Sequence, residues 1–169
     1  MSMHSSVLVV LSGLGAALLV ATVVSARTTD SRAAFQGVWQ TVEVVVPGPT
    51  PQRFTPGATL AIFHGTHYSR VEVHADGARP VLDNPASASA DELRAVWGPF
   101  VGEAGTFEVT DDNRVTMHAS VAKNPAAMSN GAASVYTYER KADTLTLTQV
   151  RTPSAASAPP VRVTLKRVE

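Results

Sequence analysis

Gly37-Val38-Trp39 near the start of the polar sequence, and Val161-Arg162-Val163-Thr164-Leu165-Lys166-Arg167-Val168-Glu169 at its end, decide the fold between them. A Gly-x-Trp that opens a first strand, with an arginine on the last strand, is a pairing that seals the floor of a small up-and-down β-barrel. The indole plugs the closed end and a guanidinium stacks on its face. Alternation places Val161, Val163 and Leu165 on one face of the last strand, and Arg167 continues that face. Trp39 and Arg167 are therefore the expected structural pair of the floor.

Between these ends the β punctuation is regular. Strands are expected over 35–46, 58–64, 67–75, 106–110, 114–122, 134–140, 144–151 and 161–168. Pro47-Gly48-Pro49-Thr50-Pro51 cannot be strand interior. Gly65-Thr66 carries glycine at the first position of a two-residue loop, the type II′ hairpin signal, so Gly65 is expected at positive φ. Asp76-Gly77 ends that hairpin's second arm. Asp111-Asp112-Asn113 and Lys141-Ala142-Asp143 are turns, and a Pro/Ser/Ala stretch over 153–160 is the last connection. One short helix begins at Ser89 or Asp91 as cap, carries Leu93, Val96 and Trp97 on one face, and stops at Pro99. The fold class is all-β: about eight antiparallel strands in an up-and-down barrel with one short helix.

The chain has 169 residues, no cysteine, and 14 basic against 14 acidic side chains. Residues 1–26 read as a secretory signal: an apolar run from Val7 to Val24 ends in Val24-Ser25-Ala26, small or β-branched residues suited to signal peptidase. The stretch before the run carries no Lys or Arg, and the run approaches the minimum length of a spanning helix, so an uncleaved anchor is the competing reading. Gly13 and Gly15 weaken such a helix. Residues 27–169 then form one barrel domain. All the charges lie in it, so it is itself neutral, and no basic face or motif points to nucleic acid. An exported domain without disulfides is held by packing alone, which suits a periplasmic or secreted bacterial protein. A membrane association is expected only if the first segment stays uncleaved, and the domain is expected to be a monomer.

Gly37-Val38-Trp39, Phe63-His64-Gly65-Thr66-His67-Tyr68-Ser69, Arg79-Pro80, Gly105-Thr106-Phe107-Glu108-Val109, Ala122-Lys123-Asn124-Pro125, Asp143-Thr144-Leu145-Thr146-Leu147 and Leu165-Lys166-Arg167 together resemble bacterial lipocalin-like domain proteins. The likeness spans nearly all of the domain. It implies a calycin-type barrel, often exported, and brings no family catalytic residue. The disulfide of many secreted animal lipocalins has no counterpart here.

Candidate site residues follow from strand faces. Tyr68, Arg70, Glu72 and His74 share one face of their strand, which is expected to be the outside of the barrel. Tyr68 is the exception, expected near the mouth. His118 lies between Thr116 and Ser120, opposite Val115, Met117, Ala119 and Val121. It is expected outside, and would be a general acid or base only if it pointed into the cup. Glu108 is expected outside, alternating with an inward Phe107. His64 and His67 flank the hairpin turn as an opposed pair, but with no third ligand of matching parity no metal site is assigned. Asn124-Pro125 reads as turn chemistry, with ligand contact at the mouth as the alternative.

No nucleophile elbow, phosphate loop or dinucleotide fingerprint is present, so no cofactor is expected. The leading functional expectation is a barrel binding a small, mostly apolar molecule through Tyr68, Met117, Asn124, Tyr136 and Tyr138, with Val115, Leu145 and Leu147 completing the cup. The alternatives are a small enzyme using His118 with Tyr68 or Glu108, and a filled barrel acting through its surface.

Overall fold

The computed structural model describes residues 31–75, 78–110, 113–152 and 160–169. The signal-or-anchor segment, Asp76-Gly77, Asp111-Asp112 and most of the 153–160 connection lie outside the described residues. The strands are β1 Gly37–Val46, β2 Gln52–Phe54, β3 Thr59–His64, β4 His67–Val73, β5 Phe100–Thr110, β6 Arg114–Ala122, β7 Ser134–Lys141, β8 Thr144–Arg151 and β9 Arg162–Arg167. Each of β3 to β9 pairs with the next, β1 pairs with β3, and β9 returns to β1. Eight antiparallel strands thus close a barrel with no free edge, which removes the hazard of unpaired strand backbone. The short β2 adds to the end of β1, Val45 opposite Arg53, and was not legible behind its prolines.

Sequence pairing at the two ends is met by backbone pairing. Trp39 stands opposite Arg167 in register, and Leu165 opposite Thr41. A bulge between Thr41 and Glu43 shifts the parity of β1. Trp39 and Thr41 are buried before it, Val44 after it, and Glu43 is turned to Arg53 at 2.8 Å. Gly37 has a φ of 122°, and a Cβ there would meet the Glu169 carbonyl at 2.5 Å and the Arg167 guanidinium at 3.0 Å. Only glycine lets the last strand's end lie across the start of the first. That is the physical content of the Gly-x-Trp signature.

Gly65 has a φ of 59°, and His64 pairs with His67 across it. Gln36 holds this turn from below: its side chain donates to the Gly65 carbonyl at 3.0 Å and accepts from the Gly65 N–H at 2.7 Å. The β3–β4 turn therefore belongs to the floor end of the barrel.

The helix α1, Ala90–Trp97, has the expected cap: Ser89 and Glu92 form a reciprocal capping box. Its far end is tied down by the Lys123 ammonium, which donates to the carbonyls of Trp97, Gly98 and Phe100. It buries no residue, so it is an outer attachment to the barrel. Strand β5 begins six residues earlier than the alternation indicated. In its first half, Phe100-Val101-Gly102-Glu103-Ala104-Gly105, register sets Val101 and Glu103 opposite Glu72 and Arg70 on the inner face and leaves Phe100, Gly102 and Ala104 on the outer one, which hides the period-two signal.

Candidate functional site

The floor half of the barrel is filled. Phe35 packs against Phe63, Phe107 and Tyr138 with ring centroids 5.5, 5.5 and 4.8 Å apart. Trp39 is completely buried and donates its indole N–H to the Phe35 carbonyl at 2.6 Å. Arg167 lies 5.3 Å from the indole centroid, and Arg140 lies closer, at 4.5 Å. The sequence reading found one of these two arginines. Arg140 continues the inward parity of Tyr136 and Tyr138 on β7, a signal that was there to be used. Each guanidinium is anchored on backbone, Arg140 on the Ala34 carbonyl at 3.3 Å and Arg167 on the Gln36 carbonyl. Burial and the neighbouring Arg167 charge hold Arg140 below the usual guanidinium range.

The other half reverses an expectation. Tyr68, Arg70, Glu72 and His74 do not form the outside of the barrel; Tyr68 and Glu72 are 4% and 3% exposed, whereas Val71 on the opposite face is 42% exposed. Register decides this. Tyr68 stands opposite Phe63, and Arg70 opposite Ala61, both buried on β3, and directly opposed residues share a face. Strand β3 has apolar residues on both faces, Ala61 and Phe63 inside, Leu60 and Ile62 outside. Its pattern could not report the inner face in advance.

These inward polar side chains form a connected set. The Tyr68 hydroxyl donates to Glu103 at 3.2 Å. The Arg70 Nε lies 3.0 Å from the same carboxylate oxygen, as an ion pair without hydrogen-bond alignment. Thr41 donates to Glu72 Oε1 at 3.2 Å, and the His74 ring donates to Oε2 at 2.6 Å. Burial pushes the Glu72 carboxyl up, but His74, Arg70 and Thr41 outweigh it and hold the group below the usual carboxylate range. Burial and the Glu103 charge push the Tyr68 phenol well above its ordinary value, so it stays a neutral donor. Burial disfavours the Arg70 charge, yet Tyr136, Glu103 and Glu72 more than compensate and hold it firmly protonated.

Above this set is a cavity of about 160 Å³. Arg70, Glu72, His74, Tyr136 and Gln149 supply its polar lining, and Val44, Val101, Val161 and Val163 its apolar wall. His74 also borders a recess outside the cup with Gln52, Arg53 and Phe54, and its ring meets Phe54 edge-on at 5.7 Å. The mouth is thus at the end opposite Trp39, ringed by β1, β4, β5, β7, β8 and β9. A larger recess, about 460 Å³, lies outside the barrel between Trp97 of α1 and the outer faces of β4, β5 and β6. Arg70 and Glu103 border that outer recess too, with Lys123; the smaller inner cavity sets polar groups beside a dry valine wall within the barrel, the composition expected of a small-molecule site.

The expected ligand contacts divide. Tyr136 lines the cup, while Met117 and Tyr138 are packed in the filled half, as are Val115, Leu145 and Leu147. Tyr68 lies beside the floor-end turn, below the mouth. Asn124 accepts from the Ala126 N–H at 3.1 Å and caps a 3-10 turn over Pro125–Met128, so it performs turn chemistry at the surface. His118 and Glu108 are exposed on the outer face, and His118 has the Ala132 carbonyl 3.3 Å from its ring. The pairing of His118 with Tyr68 or Glu108 is therefore not assembled. His64 and His67 are opposed in register and exposed, and no group of three or more His, Cys, Asp or Glu suited to a metal occurs among the described residues. Arg70, Glu72, His74 and Gln149 were missed as site residues, because their polar alternation has the same appearance as a solvated face.

A closed eight-stranded antiparallel barrel, plugged at one end and cupped at the other, is a lipocalin-like barrel. Among solved structures the chain is similar to a lipocalin-like protein from Bacteroides uniformis, with 9% identity and a TM-score of 0.45 over 79% of this chain and 98% of that one. It is also similar to an uncharacterized protein from Bacteroides eggerthii, with 11% identity and a TM-score of 0.43 over 79% and 98% of the two chains. No family model matches the sequence, and no curated protein matches it. At these identities the likeness is one of fold, and the barrel stands on its own strand pairings. No helix among the described residues is long and apolar enough to cross a membrane.

Proposed function

We propose that this protein is an exported binding barrel whose mouth-end cup takes up a small molecule. The observation that carries the reading is the cavity itself: an unfilled volume with converging polar groups inside a barrel whose other half is densely packed. Protein interiors are normally filled to crystal density, so a retained polar void is an exception with a cost. The four valines give the ligand's apolar part a dry wall. The size is restrictive. A volume of 160 Å³ holds about five waters, below the roughly 300–1,000 Å³ of drug-sized sites, so a long acyl chain does not fit as the cup stands.

Export rests on the apolar run ending in Val24-Ser25-Ala26. Terminal sequencing of the protein recovered from its host should find Arg27 first. Native mass spectrometry of the same material should show a bound species of low mass that is lost on denaturation. A ligand-free mass, together with no thermal stabilisation by any member of a panel of small acids, amines, alcohols and amides, would leave the filled-barrel reading in its place.

A further inference from the structure

We propose that the cup is a site for a small monocarboxylate, gripped by the Arg70 guanidinium and the Tyr136 hydroxyl, with its short apolar tail against Val44, Val101, Val161 and Val163. This rests on the binding-barrel reading and names the ligand class. The argument begins with donors that lack acceptors. Arg70 directs Nε at Glu103, and its two terminal amino groups have no hydrogen-bond partner among the described residues although the residue lines the cavity. Tyr136 lines the same cavity, and its hydroxyl makes no hydrogen bond among the described residues. Donors beside the cavity that make no hydrogen bond among the described residues are open to a ligand, and a planar guanidinium fork matches a carboxylate in two parallel hydrogen bonds.

The surrounding charges narrow the class further. Glu72 and Glu103 already face Arg70 inside the barrel, so a dianion such as phosphate meets two carboxylates with one guanidinium. A monoanion adds only a single negative charge, and His74 lies in the cup beside Glu72. Its ring donates to Glu72. It is faced by Phe54 and by Arg53, which is paired with Glu43, from the β2 side. The other titratable groups of the cup are Arg70 and Tyr136.

The test is isothermal titration of the exported protein with isobutyrate and with isobutyramide, its uncharged counterpart of the same shape. Isobutyrate should bind about tenfold or more tightly than the amide, the difference expected of charge-assisted hydrogen bonds. Tyr136→Phe removes a hydroxyl that makes no hydrogen bond among the described residues, so it should weaken isobutyrate several-fold with little change in the melting temperature. Val163→Phe should abolish binding by filling the cup. Equal or better binding of isobutyramide, still lost in Val163→Phe, overturns the carboxylate and leaves the binding barrel standing. Isobutyrate binding untouched by both variants overturns the site. No binding of either compound overturns the carboxylate class, and the wider ligand panel then decides the barrel reading separately.

Discussion

The two ends of this barrel are built on opposite principles. At the floor, rings from Phe35, Phe63, Phe107 and Tyr138 interlock, and the charges present, Arg140 and Arg167, lie over an indole with their hydrogen bonds directed to backbone. At the mouth, Arg70, Glu72 and Glu103 are turned inward beside a void. Filling a core with large apolar side chains stabilises by about 1.5–3 kcal/mol for each one buried. Taking an ion out of water costs several kcal/mol before its partner repays it. A chain shaped for stability alone would treat both ends like the floor. The mouth is the place where packing has been given up for chemistry.

The sharpest way to break this contrast is at the plug. Trp39→Ala removes a fully buried indole that also donates to the Phe35 carbonyl. It should cost about 3–5 kcal/mol in urea denaturation. A change below about 1 kcal/mol would mean that the floor does not hold the barrel together.

A comparable test at the mouth is Arg70→Met, which leaves Glu103 inside the barrel with Tyr68 as its remaining partner. With these side chains 22% and 10% exposed, water relieves part of the penalty, and a loss of about 3 kcal/mol is expected. Arg70→Met combined with Glu103→Gln should regain most of that loss. A double variant as stable as the parent sharpens the contrast, because the pair is then not retained for stability. A double variant worse than the single one would make the ion pair a structural element like the floor. A smaller effect belongs to the hairpin at the floor end. Gly65→Val should cost about 1–2 kcal/mol from backbone strain alone, since a Cβ at Gly65 meets nothing within 4 Å.

The same contrast explains what the sequence made legible. Closure, strand count, the capped helix and the floor all follow from signals that point one way: glycine at positive φ, a capping box, an aromatic at a barrel end. The site did not, for a physical reason. Alternation reports two faces of a strand but not which one is inside, and the usual rule assigns the polar face to water. In β4 that rule fails, because Tyr68 and Arg70 face the same interior as Phe63 and Ala61 across the hairpin. The clue lay in the partner strand's outer face, where Leu60 and Ile62 are 45% and 40% exposed. It becomes readable only once register is known. The bulge in β1 likewise moved Val44 onto the cup wall, a parity change that counting by twos cannot anticipate.

The smallest expected effect compares the ends by their response to acid. Glu72 is held below the usual carboxylate range in the fold. A carboxyl whose folded pKa is depressed contributes stability that is fully present above its unfolded pKa, about 4.3 for glutamate, and is lost as the pH falls through the folded value. Glu72→Gln should therefore be less stable than the parent at pH 7, with the gap closing toward pH 3. Arg167→Ala, at the floor, should cost about 1 kcal/mol through lost contact with the indole. Its gap should stay constant over the same range, since the lost contact with the indole involves no carboxyl. Urea melts of the parent and both variants at several pH values between 3 and 7 give the comparison directly. A gap for Glu72→Gln as flat as that for Arg167→Ala would remove Glu72 from the charged set at the mouth.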